Sequence, residues 1–235
     1  MATEAIVAFG RAHRALLSGP VLEVGSKMQP GYEQHSLREL HPEVARADYT
    51  GIDIEEGEGV DRVLDISRAE DAAALPQGHF RTIHCHCVLE HVPDVFTLCR
   101  HMERLLAVGG TLFVSVPFVW RIHRIPVDMW RFTPQSLDYL FPQVAFDKAL
   151  AGFSTRDPRS FYPVDQVPEL KLGSALGQRG RVLSTAIRAL RRLRLDGGVF
   201  GARALMEECN LMMIGVKRAE PTYTFMNEKF IAQSA

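Results

Sequence analysis

The sequence predicts an α/β fold: a doubly wound, mostly parallel sheet of seven strands with an insertion before the last one. Three observations carry this. Short β-rich runs alternate with helical patterns between residues 20 and 117, Gly25 closes the first of those runs, and a clear strand returns at 210–218 after a long irregular stretch. Strands that alternate with helices pair in parallel through right-handed crossovers, with helices on both faces. At 235 residues and 46% hydrophobic, the chain can bury one substantial core without needing a second domain. Residues 1–235 therefore read as one domain, with 118–209 as the insertion.

Each element has a local reason. Ile6, Phe9, Ala12 or His13, and Leu16 fall at helical spacing over 5–17, and Ser18-Gly19-Pro20 breaks the pattern. VLEVG at 21–25 is a compact apolar run, and YEQHSLRELH at 32–41 reads as a polar helix after a loop. YTGIDI at 49–54 and VDRVLDI at 60–66 are two further strands, each with an Asp at its C-terminal end and EEGEG turning between them. FRTIHCHCV at 80–88 is the fourth strand. Val95, Leu98, Met102, Leu105 and Leu106 share one helical face, stopped by Gly109-Gly110 before the fifth strand, TLFVSVP at 111–117. Beyond Pro117 come an aromatic, Pro-rich stretch, a strand near 144–150 and an Arg-rich helix near 176–195, and then NLMMIGVKR at 210–218.

Composition removes several classes of function. Net charge is −1, with 27 Lys+Arg against 28 Asp+Glu, so no global field draws the chain to nucleic acid or a membrane. Glu4 stands where a signal peptide carries positive charge, and the strongest apolar run, 111–120, is about half the length of a membrane-spanning helix. A cytoplasmic location is expected. Cys85, Cys87, Cys99 and Cys209 form no disulfide framework; Cys85 and Cys87 are expected on one strand face. His84 and His86 then fall on the opposite face, so the tetrad cannot make a four-ligand zinc site, and no metal is expected.

The loop Glu23-Val24-Gly25-Ser26-Lys27-Met28-Gln29-Pro30-Gly31 leaves a strand where backbone N–H groups can meet an anionic ligand. In a doubly wound sheet, an acid ending the second strand is placed to accept from ribose hydroxyls, and Asp53 stands there. Asp65, ending the third, can accept from an adenine amino group. Each acid alone is as well explained by capping a turn, and Glu90 and His91 by capping the next helix. Lys27 reads as solvated.

VLEVGS, YTGIDI, GVDRVLDI, VLEHVPD and LLAVGGTLFVSVP, in this order, resemble the class I S-adenosylmethionine-dependent methyltransferases over roughly residues 18–140. The resemblance implies S-adenosylmethionine as cofactor, with Glu23, Gly25, Ser26 and Gly31 shaping the methionine-side pocket. It puts Asp53 and Ile54 at the ribose end, Asp65 and Ile66 along the adenine, and Cys87 and His91 beside the methionyl end. Lys27 departs from the family's glycine, as in a subgroup whose loop reads GS-x-x-x-G, which gives the turn to Gly31. Arg81 stands where many relatives carry Asp.

PFVWRIHRIPVDMWRFTPQSL at 117–137 follows the fifth strand, where the cofactor's reactive end is expected. Its H-x-x-P-x-D-x-W-R-F-T run resembles a subgroup linked to glycan or surface-polysaccharide assembly. His123 and Asp128, with His91 as the rival base, are the catalytic candidates, and Trp120, Trp130 and Arg131 the acceptor wall. The plain alternative is an Asp128–Arg131 ion pair with His123 in a polar core network. On the Arg-rich helix, Leu183, Ala186, Ile187, Leu190 and Leu193 form an apolar stripe. Arg188, Arg191 and Arg192 then form either a solvated face or a contact for a peripheral membrane or phosphate group. The expected activity is methyl transfer to O or N of a small molecule or glycan-type acceptor by in-line displacement. The alternatives are a non-catalytic cofactor- or partner-binding protein that keeps the fold, and an NAD-dependent oxidoreductase, disfavoured by the absence of G-x-G-x-x-G.

Overall fold

The computed structural model describes residues 3–31, 34–123, 127–154, 161–164 and 209–226. The strands are β1 (Val21–Val24), β2 (Tyr49–Asp53), β3 (Arg62–Val63), β4 (Phe80–His86), β5 (Leu106–Val119), β6 (Val144–Ser154), β7 (Phe161–Pro163) and β8 (Cys209–Lys217). The helices are α1 (Glu4–Ala12), α2 (Ala69–Ala73), α3 (Val95–Leu105) and α4 (Pro134–Leu140). The sheet order is β3-β2-β1-β4-β5-β8-β6-β7. Pairing is parallel from β3 through β5 and antiparallel from β5 to β7. The seven expected strands are present, and the short β7 adds an eighth at the edge.

Strand alternation divides the interior into two cores. Leu112, Val114 and Val116 of β5, with Leu211 and Met213 of β8, face α2, α3 and α4, where Leu98, Met102 and Leu137 are buried. Phe113, Met212 and Ile214 face the other way, onto Ile6, Val7 and Phe9 of α1 and onto Leu37 and Leu40. Strands covered on both faces read as continuous apolar runs, which is why β5 and β8 were the plainest to see.

Three expectations change. The polar helix over 32–41 is only a 3-10 turn, Leu37–Leu40, because its two apolar residues are spaced for a single turn and Pro42 disfavours helical backbone at His41. The strand expected over 60–66 contracts to Arg62–Val63, both exposed, so Asp65 stands beyond it. The fifth strand starts at Leu106, directly after α3; Gly109, at φ 78°, sits where the β4–β5 register shifts between Phe80 and Thr82. Of the insertion, α4 is a regular helix and β6 and β7 join the sheet, while the Arg-rich helix and Arg188, Arg191 and Arg192 lie outside the described residues. The tail docks on its own chain as far as Met226, where buried Asp138 accepts from the backbone N–H groups of Thr224, Phe225 and Met226. No described helix is long and apolar enough to cross a membrane.

Strand order reverses between β1 and β4, and in such sheets ligands bind beyond the carboxyl ends at that switch. The loops after β1 and β4 meet there.

Candidate active site

Glycine sets the donor side. Gly25 has φ 75°, and a Cβ there would collide with Val88 beyond β4, so the loop after β1 lies hard against the next strand's exit. Gly25 and Ser26 both donate to the Ile52 carbonyl, at 2.9 and 3.0 Å. Met28 N–H donates to the Glu58 carbonyl at 2.9 Å, tying the loop to the turn after β2. Gly31 takes φ 82°, the turn the sequence assigned to it. Lys27, expected in solvent, is 18% exposed on its side chain, with Nζ 2.5 Å from Glu55 and its stem against Gly57. The turn at 57–60 thus accommodates the residue that departs from glycine.

Both strand-end acids have local partners. Asp53 accepts from Lys27 N–H at 3.1 Å and Glu55 N–H at 3.3 Å. Asp65 accepts from the N–H and hydroxyl of Ser67 at 3.0 and 2.6 Å. Ile54 is 60% exposed at the mouth of β2. Ile66 is 2% exposed and lies in the α3-side core, so its side chain has no face for adenine.

A small groove opens beside this loop, lined in part by Glu23, Gly25, Ser26, His35 and Arg38. Burial pushes the Glu23 carboxyl up to about 7, against the pull of the Tyr49 hydroxyl, which donates to it at 2.5 Å. Ser26 Oγ and His35 Nε2 are buried without hydrogen-bond partners. Unsatisfied polar atoms at a groove lined by glycines, Glu23 and Arg38 fit a polar nucleoside-type cofactor. Cys87 was expected beside it and on the Cys85 face, but it follows β4 with φ 52° and packs against the α1-side core. Burial pushes its thiol up to about 12, so it stays protonated.

On the acceptor side, the turn after β4 and the segment after β5 dock on each other. Met129 N–H donates to the Glu90 carbonyl at 2.8 Å, the Trp130 indole to Val92 O at 2.9 Å, and His91 Nδ1 pairs with Val127 O. The result brings both candidate bases together: the His91 and His123 rings are 5.0 Å apart, edge to face. Beneath them, Glu90 is 1% exposed, its Oε2 has no partner, and burial pushes its carboxyl up to about 7. Glu90 and His91 do not cap α3, which is capped by Asp94 through Thr97 N–H.

Asp128 accepts from His123 N–H at 3.0 Å, and its Oδ2 is 3.1 Å from His123 Nδ1, with that ring turned off the line of a hydrogen bond. The Arg131 guanidinium grips both Asp128 oxygens and holds that carboxyl well below the usual range. Arg131 also donates to the carbonyls of Trp120, Arg121 and Trp130. It is therefore committed to the local ion pair and to bracing the segment, and is not spare for an acceptor. Trp120 is half-buried and Trp130 is 38% exposed.

Sequence reasoning missed that buried Glu90 lies with His91 and His123, although it precedes His91 in VLEHVPD. It also missed that His84 and His86 extend a buried chain to His41.

The family model for a methyltransferase domain matches residues 9–153. A ubiquinone biosynthesis O-methyltransferase from Xanthomonas campestris pv. campestris is 44% identical over 50 residues, 21% of each chain. One from Xanthomonas euvesicatoria pv. vesicatoria is 42% identical over 57 residues, 24% of each. These matches span about a quarter or less of the curated relatives. Among solved structures, the 1,6-didemethyltoxoflavin-N1-methyltransferase of Burkholderia thailandensis aligns with TM-score 0.53 at 14% identity, covering 91% of this chain and 76% of that one. The [4+2]-cyclase SpnF aligns with TM-score 0.50 at 15% identity, covering 91% and 81%. Those two likenesses speak for the fold alone, and between them they host different reactions. The family match settles the class: the chain belongs to the methyltransferase domain family.

Proposed function

We propose that the protein methylates a hydroxyl oxygen of a small-molecule or glycan-type acceptor, and that His91, His123 and Asp128 serve that acceptor. The carrying observation is the meeting of two imidazoles from separate segments, 5.0 Å apart over buried Glu90, where β4 and β5 end. S-adenosylmethionine supplies a methyl group on a positively charged sulfur. The chain's own part is to hold donor and acceptor in line, keep water out and help remove the acceptor's proton. An amine that sheds its proton readily needs alignment alone, whereas a hydroxyl benefits from a positioned base, a role imidazole suits. A pair of imidazoles therefore favours oxygen. The O-methyltransferase names of the Xanthomonas relatives support the same choice.

Around this centre, Asp128 orients His123, Trp120 and Trp130 wall the acceptor, and Arg131 holds the wall in place. On the donor side, Gly25, Ser26, Gly31 and Glu23 cradle the methionine end. Asp53 exchanges its N–H partners for ribose hydroxyls, Ile54 offers an apolar face to the adenine, and Asp65 meets the adenine's amino group. The test is incubation with methyl-labelled cofactor and fractionated cell extract. Label is expected on oxygen in a small-molecule or glycan fraction; label on nitrogen, or none from a protein that binds the cofactor, contradicts the reading.

A further inference from the structure

We infer that Glu90, His91 and His123 form a binding site for a divalent transition-metal ion, which activates the acceptor hydroxyl. The inference deepens the reading above and rests on it for the acceptor. Each of the three residues offers one ligand atom, and these atoms all lie within 4.8 Å of one another. Around a metal with bonds of about 2.1 Å, neighbouring ligand atoms stand about 3.0–3.5 Å apart. His91 Nε2 and Glu90 Oε1 are already at 3.7 Å, so closure asks for small side-chain rotations.

Three further observations separate this cluster from a chance meeting. Glu90 Oε2 is buried with no hydrogen-bond partner, on a side chain 2% exposed. An uncompensated carboxylate in that position is costly unless a cation meets it. The His91 ring is also set as metal-binding histidines are set, one nitrogen against an oxygen so that the other carries the lone pair: its Nδ1 pairs with Val127 O. His123 Nδ1 is buried without a hydrogen-bond partner, 3.1 Å from Asp128 Oδ2. Finally, Arg131, the nearby cation, is already neutralised by Asp128, so its repulsion of a metal is reduced.

Two nitrogens and one carboxylate suit zinc, cobalt, manganese or iron in the divalent state, and they leave coordination positions open. The acceptor hydroxyl takes one of them. Its O–H bond breaks, the proton passes to a water, and the oxygen keeps the pair. That pair forms the new O–C bond as the S–C bond breaks, with sulfur keeping the electrons of the broken bond. Bound metal is known to lower the pKa of a coordinated hydroxylic oxygen substantially. The imidazoles then act as ligands in place of bases.

The experiment is a titration of chelator-treated, refolding-checked full-length protein with Co²⁺ alone, followed by its visible absorption and by competition with Zn²⁺. About one equivalent is expected to bind and to be displaced by zinc. His91→Ala and His123→Ala should each weaken binding by about 100-fold or more, and Asp128→Asn by about 10–100-fold, with unchanged circular dichroism. Bands that persist in both histidine variants, or a folded wild type that shows none, overturn the site. Methyl transfer by metal-free protein separates the two readings. If transfer to oxygen proceeds at the full rate without metal yet fails in His123→Ala, the imidazoles are bases and the metal site is wrong. If Co²⁺ binds as expected but the labelled atom is not oxygen, the metal site stands and the hydroxyl acceptor falls.

Discussion

Two groups of histidines gather around β4 and the turn beyond it, His41 joining the first and His123 the second from elsewhere in the chain, and they are opposite in kind. His41, His84 and His86 are buried and bonded to one another: His41 Nε2 to His84 Nε2 at 2.8 Å, His84 Nδ1 to His86 Nε2 at 3.1 Å, and His86 Nδ1 to Ser115 Oγ at 3.0 Å. Burial lowers His41 to about 4 and holds His84 and His86 well below the usual histidine range. His91 and His123 are partly exposed at 18% and 29% on their side chains, and they converge on a carboxylate. A histidine-rich run is therefore no site in itself. What distinguishes chemistry from structure is whether the ring nitrogens end on each other or on open space.

The largest expected effect that sharpens this contrast is on stability. His84→Ala removes a fully buried ring and strands the facing nitrogens of His41 and His86, at a cost of roughly 2–4 kcal/mol. His91→Ala should cost less than about 1 kcal/mol, because its ring is part-exposed. Denaturant melts of the two variants measure this directly, and equal losses would erase the distinction between closed and open groups.

Asp53 tests whether a closed group can still be functional. Its oxygens are occupied by Lys27 and Glu55 N–H groups, yet it ends the second strand, where an acid in such sheets is placed to accept from ribose hydroxyls. Asp53→Ala should weaken cofactor binding by roughly 1–3 kcal/mol in calorimetry, with little loss of stability. Unchanged affinity in a folded variant reduces Asp53 to a turn cap.

The smallest effect concerns pH. His41 has a folded pKa of about 4 against 6.5 unfolded, so its contribution is complete above 6.5 and is lost as pH falls toward 4. Burial raises Glu23, Glu90 and Glu103 to about 7 from 4.5, so their contributions are present below 4.5 and are lost as pH rises to 7. The two trends oppose each other in the native protein. His41→Gln removes only the first, so its deficit against wild type should shrink by about 1 kcal/mol between pH 6.5 and 5.5. A constant deficit in melts at the two values would show that His41 does not titrate with unfolding.

Much of the fold was legible because parallel strands buried on both faces are unbroken apolar runs, as in TLFVSVP and NLMMIGV. The Leu37–Leu40 turn was not, because two leucines at that spacing serve a long helix and a single turn equally well. Gly25, Gly31, Asp53 and the 117–137 run were singled out from their expected places at strand ends. Cys87 was misplaced, since its positive φ reverses the alternation on which its face was assigned. Ile66 was misplaced because β3 stops early and the chain turns it into the core. Glu90 stayed hidden because only the docking of Met129 and Trp130 onto the β4 exit reveals it as the floor of the histidine pair. Arg131 was read either as part of the acceptor wall or as the partner of Asp128, and it pairs with Asp128 and three carbonyls.

That the open histidine pair serves the acceptor, apart from the donor pocket, is tested most directly by measuring cofactor affinity and single-turnover methyl transfer side by side in wild type and His123→Ala. Affinity should match wild type, while the transfer rate falls roughly 10²–10⁴-fold. Transfer at the wild-type rate, or a loss of cofactor affinity that accounts for the slower transfer, would contradict it.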